Sequence, residues 1–516
     1  MHQLILVLRS VSLTTTRASD AWYDSVKSGH ATLALLALFT ASWTAFHVIA
    51  YASLDLHPDL VEVFAWSRHP ALGYNKHPPL ASLMAGAWFS VFPVADWSFT
   101  LLAMVNSAIG LFGTDLIARR YLSGDKRVFA LLLLLLTPFY QFMGQRFASN
   151  QTLLSTWPIA TYCFLRAFHT RGFVWSVAAG IAAALAMLGK YYSIYLIGSF
   201  GIAVLCHPAR WTYLKSASPW LSAAFGLALL APHGYWLITT GYQPLKYAYV
   251  VHGDPSFWRV IAGAGSYLAG AIAYVAVPIA VFLIAVQPTW STLRTTLWPA
   301  DPDRRMLVVL FAGFLLLPAL TAPFMQIVLT SVWTMQIWFL LPIVLLAPDA
   351  AALARPPARR VAQIVFTIFA GALLISPGLA WYYHAHGTRQ GRAYYRLASD
   401  YMTDTWHQLV GSRLRIVMGS PDFGEAATFY SPDSPDAVPA FDPHQAPWVG
   451  EEDLDRYGFA VICGHDEPWC EAGVAAQLLK YPSAHRVEKD FSPVYLGQNG
   501  IPHRVLFLFV PPTRLR

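Results

Sequence analysis

The sequence predicts an α-helical polytopic membrane protein that ends in a small C-terminal α/β domain. Three observations carry that prediction. Of 516 residues, 56% are hydrophobic and only 12% charged, against roughly 25% charged in soluble domains. Apolar runs near the ~20 residues that cross a bilayer recur from about Ala31 to Tyr383 and then stop. From His384 to Arg516 the composition changes: Asp, Glu, Pro and His return, and apolar residues come in short bursts, the pattern of a soluble domain.

The apolar runs place crossings at 31–51, 98–118, 128–144, 151–168, 173–189, 191–206, 218–238, 262–286, 306–322, 326–347 and 361–383, eleven in all. The run from Leu80 to Pro93 is too short to cross and follows two prolines, so a re-entrant or interfacial helix is expected there. Charge sets the orientation. Arg119, Arg120, Lys126 and Arg127, then Arg166 and Arg171, Arg210 and Lys215, Arg294, Arg304 and Arg305, and Arg355, Arg359 and Arg360 sit in short connections. With an inside N-terminus every one of these falls on the cytoplasmic side, as the positive-inside rule requires. The opening "MHQLILVLRS" is short, is broken by Arg9 and lacks a convincing small-residue cleavage site, so a signal peptide is the weaker reading. Eleven crossings from inside put the tail outside. The expected domains are therefore a membrane part over 1–383, with a first outer loop over 52–79, and a soluble part over 384–516. The formal charge of +7 is spread over the inner loops, and no basic run with interleaved aromatics suggests a nucleic-acid partner.

In the tail, "RLRIVMG", "FAVICG" and "RVLFLFV" predict buried strands and "GVAAQLLKYP" an intervening helix. No nucleophile elbow, phosphate loop or zinc-spaced Cys/His set occurs in it. Cys163 and Cys206 fall within spans and are expected to pack there. Cys463 and Cys470 lie together in the tail, where an oxidising compartment allows a disulfide; two free thiols fit the spacing equally well.

The first outer loop, "ASLDLHPDLVEVFAWSRHPALGYNKHPP", holds Asp55, Asp59, Glu62, Arg68, Lys76 and three histidines, His57, His69 and His77. Pro58 and Asp59 give "PDLVEVFAWSRH" a helix start, with Asp59 and Glu62 three apart on one face. Val63, Phe64 and Trp66 would then face lipid or neighbouring helices. An interfacial helix with merely solvated charges, and with Trp66 and Tyr74 as belt aromatics, is the competing reading.

The order Asp59, Glu62, Trp66, Gly73-Tyr74 and His77-Pro78-Pro79-Leu80 resembles the first periplasmic loop of the GT-C type glycosyltransferases that use polyprenyl-phosphate sugars, a group including the protein O-mannosyltransferases, the lipid A aminoarabinose transferases and the lipopolysaccharide-core galacturonosyltransferases. The likeness continues through "LIARRYLSGDKR" and "ALAMLGKYYSIYL". It implies a GT-C fold and an inverting transfer of one sugar from a polyprenyl-phosphate donor to a lipid, lipopolysaccharide or other glycan acceptor, on the outer face of a bacterial inner membrane. In that family the loop acid is the proposed base, which lands on Asp59, with Asp55 as runner-up and Glu62 orienting or solvating. The chemistry agrees: an attacking hydroxyl must lose its proton, and a carboxylate can take it. As the sugar departs, charge grows on the donor phosphate, and nearby cations stabilise it. Lys76, His77, Arg146 and Lys190 all fall outside and are the expected phosphate contacts. Tyr74, Pro78, Pro79, Asn150 and Tyr191 are expected to position them, the prolines by fixing the chain around Lys76 and His77. Asn150 stands where family members often carry a second acid, which weakens any two-carboxylate metal site; no cofactor is expected with certainty and a divalent metal stays open. A transporter or flippase of lipid-linked sugars is the alternative function, disfavoured because no internal repeat is evident. A non-catalytic scaffold is a third.

Overall fold

A computed structural model describes residues 14–26, 28–387 and 392–513. The polytopic helical body and the α/β tail expected from the sequence are both present. Among the described residues six helices are long and apolar enough to cross a membrane: His30–Ala50, Asp96–Tyr121, Ser218–Thr239, Phe257–Val286, Pro302–Met325 and Arg355–His386. Ser149–Thr170, Phe173–Gly189 and Ile194–Cys206 pack among them. Leu80–Phe89 forms a ten-residue helix directly after the two prolines.

Two of the apolar runs are not continuous helices. Residues 128–144 divide into Lys126–Leu134 and a π-helical turn, Phe139–Met143, separated at Pro138, where proline removes a donor and restricts its predecessor. The Gln141 amide donates to the freed Leu135 carbonyl at 3.0 Å, and the His47 ring meets the Gln141 carbonyl at 2.7 Å. Residues 326–347 become two 3-10 turns, Ser331–Thr334 and Trp338–Leu340, followed by the short helix Leu341–Leu346. Met335, Ile337, Phe339 and Leu340 are nearly inaccessible; irregular backbone survives at membrane depth only where protein covers it.

Small residues set how closely the helices approach. A Cβ on Gly110 would fall 2.1 Å from the Leu154 carbonyl, and one on Gly180 would fall 2.2 Å from that of Ser222. The basic connections gather at one end of the bundle, tied by ion pairs: Arg119 and Arg127 on the fully buried Asp115, Arg120 on Asp303, Arg304 on Asp349, and Arg359 on Asp20.

The tail contains strands β1 (Ile416–Gly419), β2 (Asp436–Pro439), β3 (Phe459–Gly464), β4 (His485–Phe491), β5 (Val494–Tyr495), β6 (Gln498–Asn499) and β7 (His503–Val510). The main sheet runs β2-β1-β3-β7-β4, parallel across the first three and antiparallel thereafter. β1 and β3 are buried along their whole length, which is why they stood out as unbroken apolar runs. Cys463 on β3 and Cys470 in the Pro468–Lys480 helix form a disulfide.

The tail is docked on the first outer loop. Helix Pro421–Tyr430 packs on helix Pro58–Ser67, with Phe64 edge-on to Phe429 at 4.9 Å and to Phe89 at 5.3 Å. Leu56 N–H donates to the Tyr430 hydroxyl at 2.7 Å. His69 lies 2.7 Å from Asp436 and stacks on Trp448 at 4.5 Å. Phe64 thus covers a tail helix rather than lipid.

Candidate active site

Helix Pro58–Ser67 begins with its N-cap His57, whose Nδ1 accepts from Asp59 N–H at 3.2 Å, and with Pro58 in the first turn, where a missing N–H costs nothing. Asp59 and Glu62 therefore project on one face. The Asp59 side chain is 54% exposed, whereas that of Glu62 is 12% exposed. Glu62 accepts from the Lys76 ammonium, so Lys76 is an ion-pair partner as well as a cation.

The chain around Lys76 is tightly held. Tyr74 N–H donates to the His77 carbonyl at 3.0 Å, and its hydroxyl donates to the Trp66 and His69 carbonyls, both at 3.0 Å. The Tyr74 ring stacks on Trp66 at 4.9 Å. Gly73 lies against Trp236: a Cβ there would sit 2.4 Å from the ring. Pro79 then starts the Leu80–Phe89 helix.

Lys190 ends helix Phe173–Gly189. A Cβ on Gly189 would come 2.5 Å from the Thr152 hydroxyl, and this close approach lets the Lys190 ammonium reach Asn150 Oδ1. Lys190 also lies over the Trp333 ring at 4.8 Å. Tyr191 turns elsewhere: its hydroxyl meets His233 at 3.0 Å, and His233 meets the Leu72 carbonyl at 2.6 Å, joining a membrane helix to the loop.

Burial raises the Asp59 pKa, and the charges of Arg146, Lys76 and Lys190 pull it back; the carboxylate is reached by solvent yet recessed among protein atoms. Burial lowers the His77 pKa to about 3, helped by Lys190 and Lys76. His77 is therefore a neutral hydrogen-bonding group and not the cation the sequence suggested. Arg146 belongs with a different set: with Arg392 it acts on His57 and Tyr51. Asp59 thus feels two groups of cations, Lys76 with Lys190 and Arg146.

Sequence reasoning missed two carboxyls here. Asp422 and Glu425 come from the tail helix Pro421–Tyr430. Burial raises the Glu425 pKa well above the usual range, and the neighbouring Glu62 raises it further. One Lys76 charge thus faces two buried carboxyls, and its hydrogen bond goes to Glu62. A signal for them existed: "PDFGE" repeats the Pro-Asp-x-x-Glu pattern of "PDLVE".

Residues 76–236 match the family model described as dolichyl-phosphate-mannose-protein mannosyltransferase. The lipopolysaccharide core galacturonosyltransferase RgtB of Rhizobium johnstonii is 28% identical over 299 residues, 55% of this chain and 58% of that protein. The chain thus spans less than two thirds of that curated relative. ArnT from Cupriavidus metallidurans bound to undecaprenyl phosphate superposes with a TM-score of 0.60 at 13% identity, covering 92% of this chain and 98% of that one. Its apo form gives 0.56 at 12% identity.

The chain has the GT-C fold.

Asp55 stands apart from Asp59. Its backbone carbonyl accepts from Arg392 Nε and Nη2 at 3.1 and 2.9 Å, and its carboxylate accepts from Arg396 N–H at 3.2 Å. Burial raises its pKa to about 7. An acid whose pKa is higher in the folded state binds more protons there, so its contribution is full below about 4, the unfolded value, and is lost as pH rises through 7. Melting temperature in detergent should therefore fall between pH 5 and pH 8, and Asp55→Asn should flatten that slope; an unchanged slope in the variant would assign it to other groups. Around Asn150 the donor set does not fit a divalent ion, because the amide oxygen already accepts from an ammonium. Among the described residues no cluster of three or more His, Cys, Asp or Glu is arranged to hold a metal.

Proposed function

We propose that this protein is a membrane glycosyltransferase that moves one sugar from a polyprenyl-phosphate donor to a hydroxyl of an envelope lipid or glycan, with inversion. The observation that carries the reading is Asp59: a solvent-reached carboxylate held at a helix start within electrostatic reach of Lys76 and Lys190. In the proposed step the acceptor O–H gives its proton to Asp59 and its oxygen forms the new bond to the anomeric carbon. The bond from that carbon to the phosphate oxygen breaks, and its electron pair leaves on the polyprenyl phosphate. Lys76 and Lys190 stabilise the growing charge, and His77 contributes an N–H. Tyr74, Pro78, Pro79 and Asn150 hold these groups in place, and Tyr191 braces the loop through His233. The undecaprenyl phosphate seen with ArnT supports a donor of this class.

The reading also includes eleven crossings, a membrane domain over 1–383, a periplasmic domain over 384–516 and a bacterial inner-membrane location. A reporter fused at the C-terminus should be active only in the periplasm, and one placed between Arg355 and Arg360 only in the cytoplasm; cytoplasmic activity at the C-terminus would overturn this topology. Deleting the gene should remove one sugar from an envelope glycan in mass spectra, and unchanged glycans would count against the transferase.

A further inference from the structure

Between β4 and β7 the tail projects a two-stranded hairpin, β5 and β6, that stands outside the main sheet. Val494 pairs with Asn499 and Tyr495 with Gln498. A hairpin this small is marginal in water unless something backs it. Its composition also departs from the rest of the tail: from Ser492 to Pro502 the sequence holds no charged residue. Val494 is 67% exposed, Leu496 77% and Ile501 46%. Leucine is an ill-suited residue at the tip. Leu496 and Gly497 both have positive φ, 50° and 75°, the geometry of a type I′ turn whose first position favours Asn, Asp or Gly. A leucine there brings its Cβ against the following carbonyl, and an apolar side chain surrounded by water offsets none of that strain.

The position of the hairpin supplies different surroundings. Helix Arg355–His386 has 32 residues, about 48 Å at ~1.5 Å per residue, so its ends stand clear of a hydrocarbon core of ~30 Å. Near the end that leads into the tail, Trp381 and Tyr382 are 54% and 50% exposed, as aromatic residues are at a membrane–water boundary. The hairpin lies against the turn that follows them. Ile501 Cδ1 is 3.4 Å from where a Cβ on Gly387 would be, the Gln498 carbonyl meets His384 Nε2 at 3.0 Å, and the Tyr495 ring lies 5.7 Å from that of His384. From Ile501 toward the turn these contacts step back along the helix in the direction of Trp381, so the tip points at the bilayer.

We propose that the β5–β6 hairpin is a membrane contact, with Val494 and Leu496 entering the boundary between headgroups and acyl chains beside Trp381 and Tyr382. The partner is the lipid surface, because the apolar face continues from the end of a spanning helix and carries no charge with which to pair a soluble protein. The tail is then held at two places, on the first outer loop through helix Pro421–Tyr430 and on the bilayer through the hairpin. This contact needs only that helix Arg355–His386 crosses the membrane, and it stands apart from the transferase chemistry.

The test uses full-length protein, one copy per nanodisc, in phosphatidylethanolamine and phosphatidylglycerol. Cys206→Ser removes the exposed free thiol, and Leu496→Cys then carries an environment-sensitive fluorophore. Leu479→Cys is the reference in water: Leu479 is 86% exposed, on the helix Pro468–Lys480 that packs on the opposite face of the sheet from helix Pro421–Tyr430. Lipids spin-labelled near the headgroup end of the acyl chain should quench the label at 496 at least about two-fold and leave that at 479 unchanged, as burial ~5–10 Å into the interface requires. Leu496→Asn suits the turn better than leucine, so it should keep or raise the melting temperature in detergent, yet it should cut the quenching of a label on Val494→Cys by about half or more. Equal quenching at 496 and 479 in folded protein would overturn the proposal, and so would unchanged quenching at 494 in Leu496→Asn. A label at 496 that escapes lipid quenching and shifts to the blue only in nanodiscs holding two copies would overturn it too, since the hairpin would then meet a second copy of the chain.

Discussion

Asp59→Asn should lower sugar transfer by ~10²–10⁴-fold, the usual contribution of a general base, with expression and melting temperature close to wild type. Asn is nearly the same size and is tolerated at a helix start, and the cap hydrogen bond uses the Asp59 backbone N–H and not its carboxyl. The pH profile supplies an independent check. A base acts when ionised, so the rate should rise with pH through the Asp59 pKa, which burial places above the ordinary carboxylate value. The variant should lose that limb. Glu62→Gln should cost less, since Glu62 is engaged with Lys76 and is far less exposed to solvent than Asp59. Near wild-type transfer by Asp59→Asn together with a dead Asp55→Asn would move the base to Asp55.

Lys76→Ala should damage both folding and donor use. The Lys76 and Glu62 side chains are only 22% and 12% exposed, and removing one partner of a buried pair strands the other charge at a cost of ~3–5 kcal/mol. The single variant therefore confounds two effects. Lys76→Met with Glu62→Gln removes both charges and should recover most of the lost melting temperature, because neither side chain is then buried charged. Transfer should stay low, with the donor KM raised, because the cation facing the phosphate is still missing. Recovery of both melting temperature and transfer would show that Lys76 serves the fold alone. Arg359→Ala, which removes a partner of Asp20 at the other end of the bundle, should leave transfer within about two-fold.

Much of this site was legible because the loop encodes it locally. Pro58 and Asp59 announce a helix start, Pro78 and Pro79 a fixed turn, and the charged side chains stand out in an apolar chain. What the sequence hid was tertiary. Lys76 pairs with Glu62 fourteen positions away, and Asp422, Glu425 and Arg392 reach the loop only because the tail docks on it. The polar composition of β4, "HRVEKDF", reflects an edge strand with little buried surface, so no apolar pattern marked it. The breaks within 128–144 and 326–347 were invisible for the opposite reason: irregular backbone buried in protein is as apolar in sequence as a spanning helix.

The central claim is most directly tested by reconstituting the full-length protein in liposomes with a polyprenyl-phosphate donor whose sugar is radiolabelled, and following the label onto an envelope glycolipid. The account predicts that label leaves the donor, appears on the acceptor in the inverted anomeric configuration, and does so at a rate that Asp59→Asn reduces at least a hundred-fold. Label that crosses the bilayer while still attached to its polyprenyl phosphate, with none on the acceptor, would contradict it.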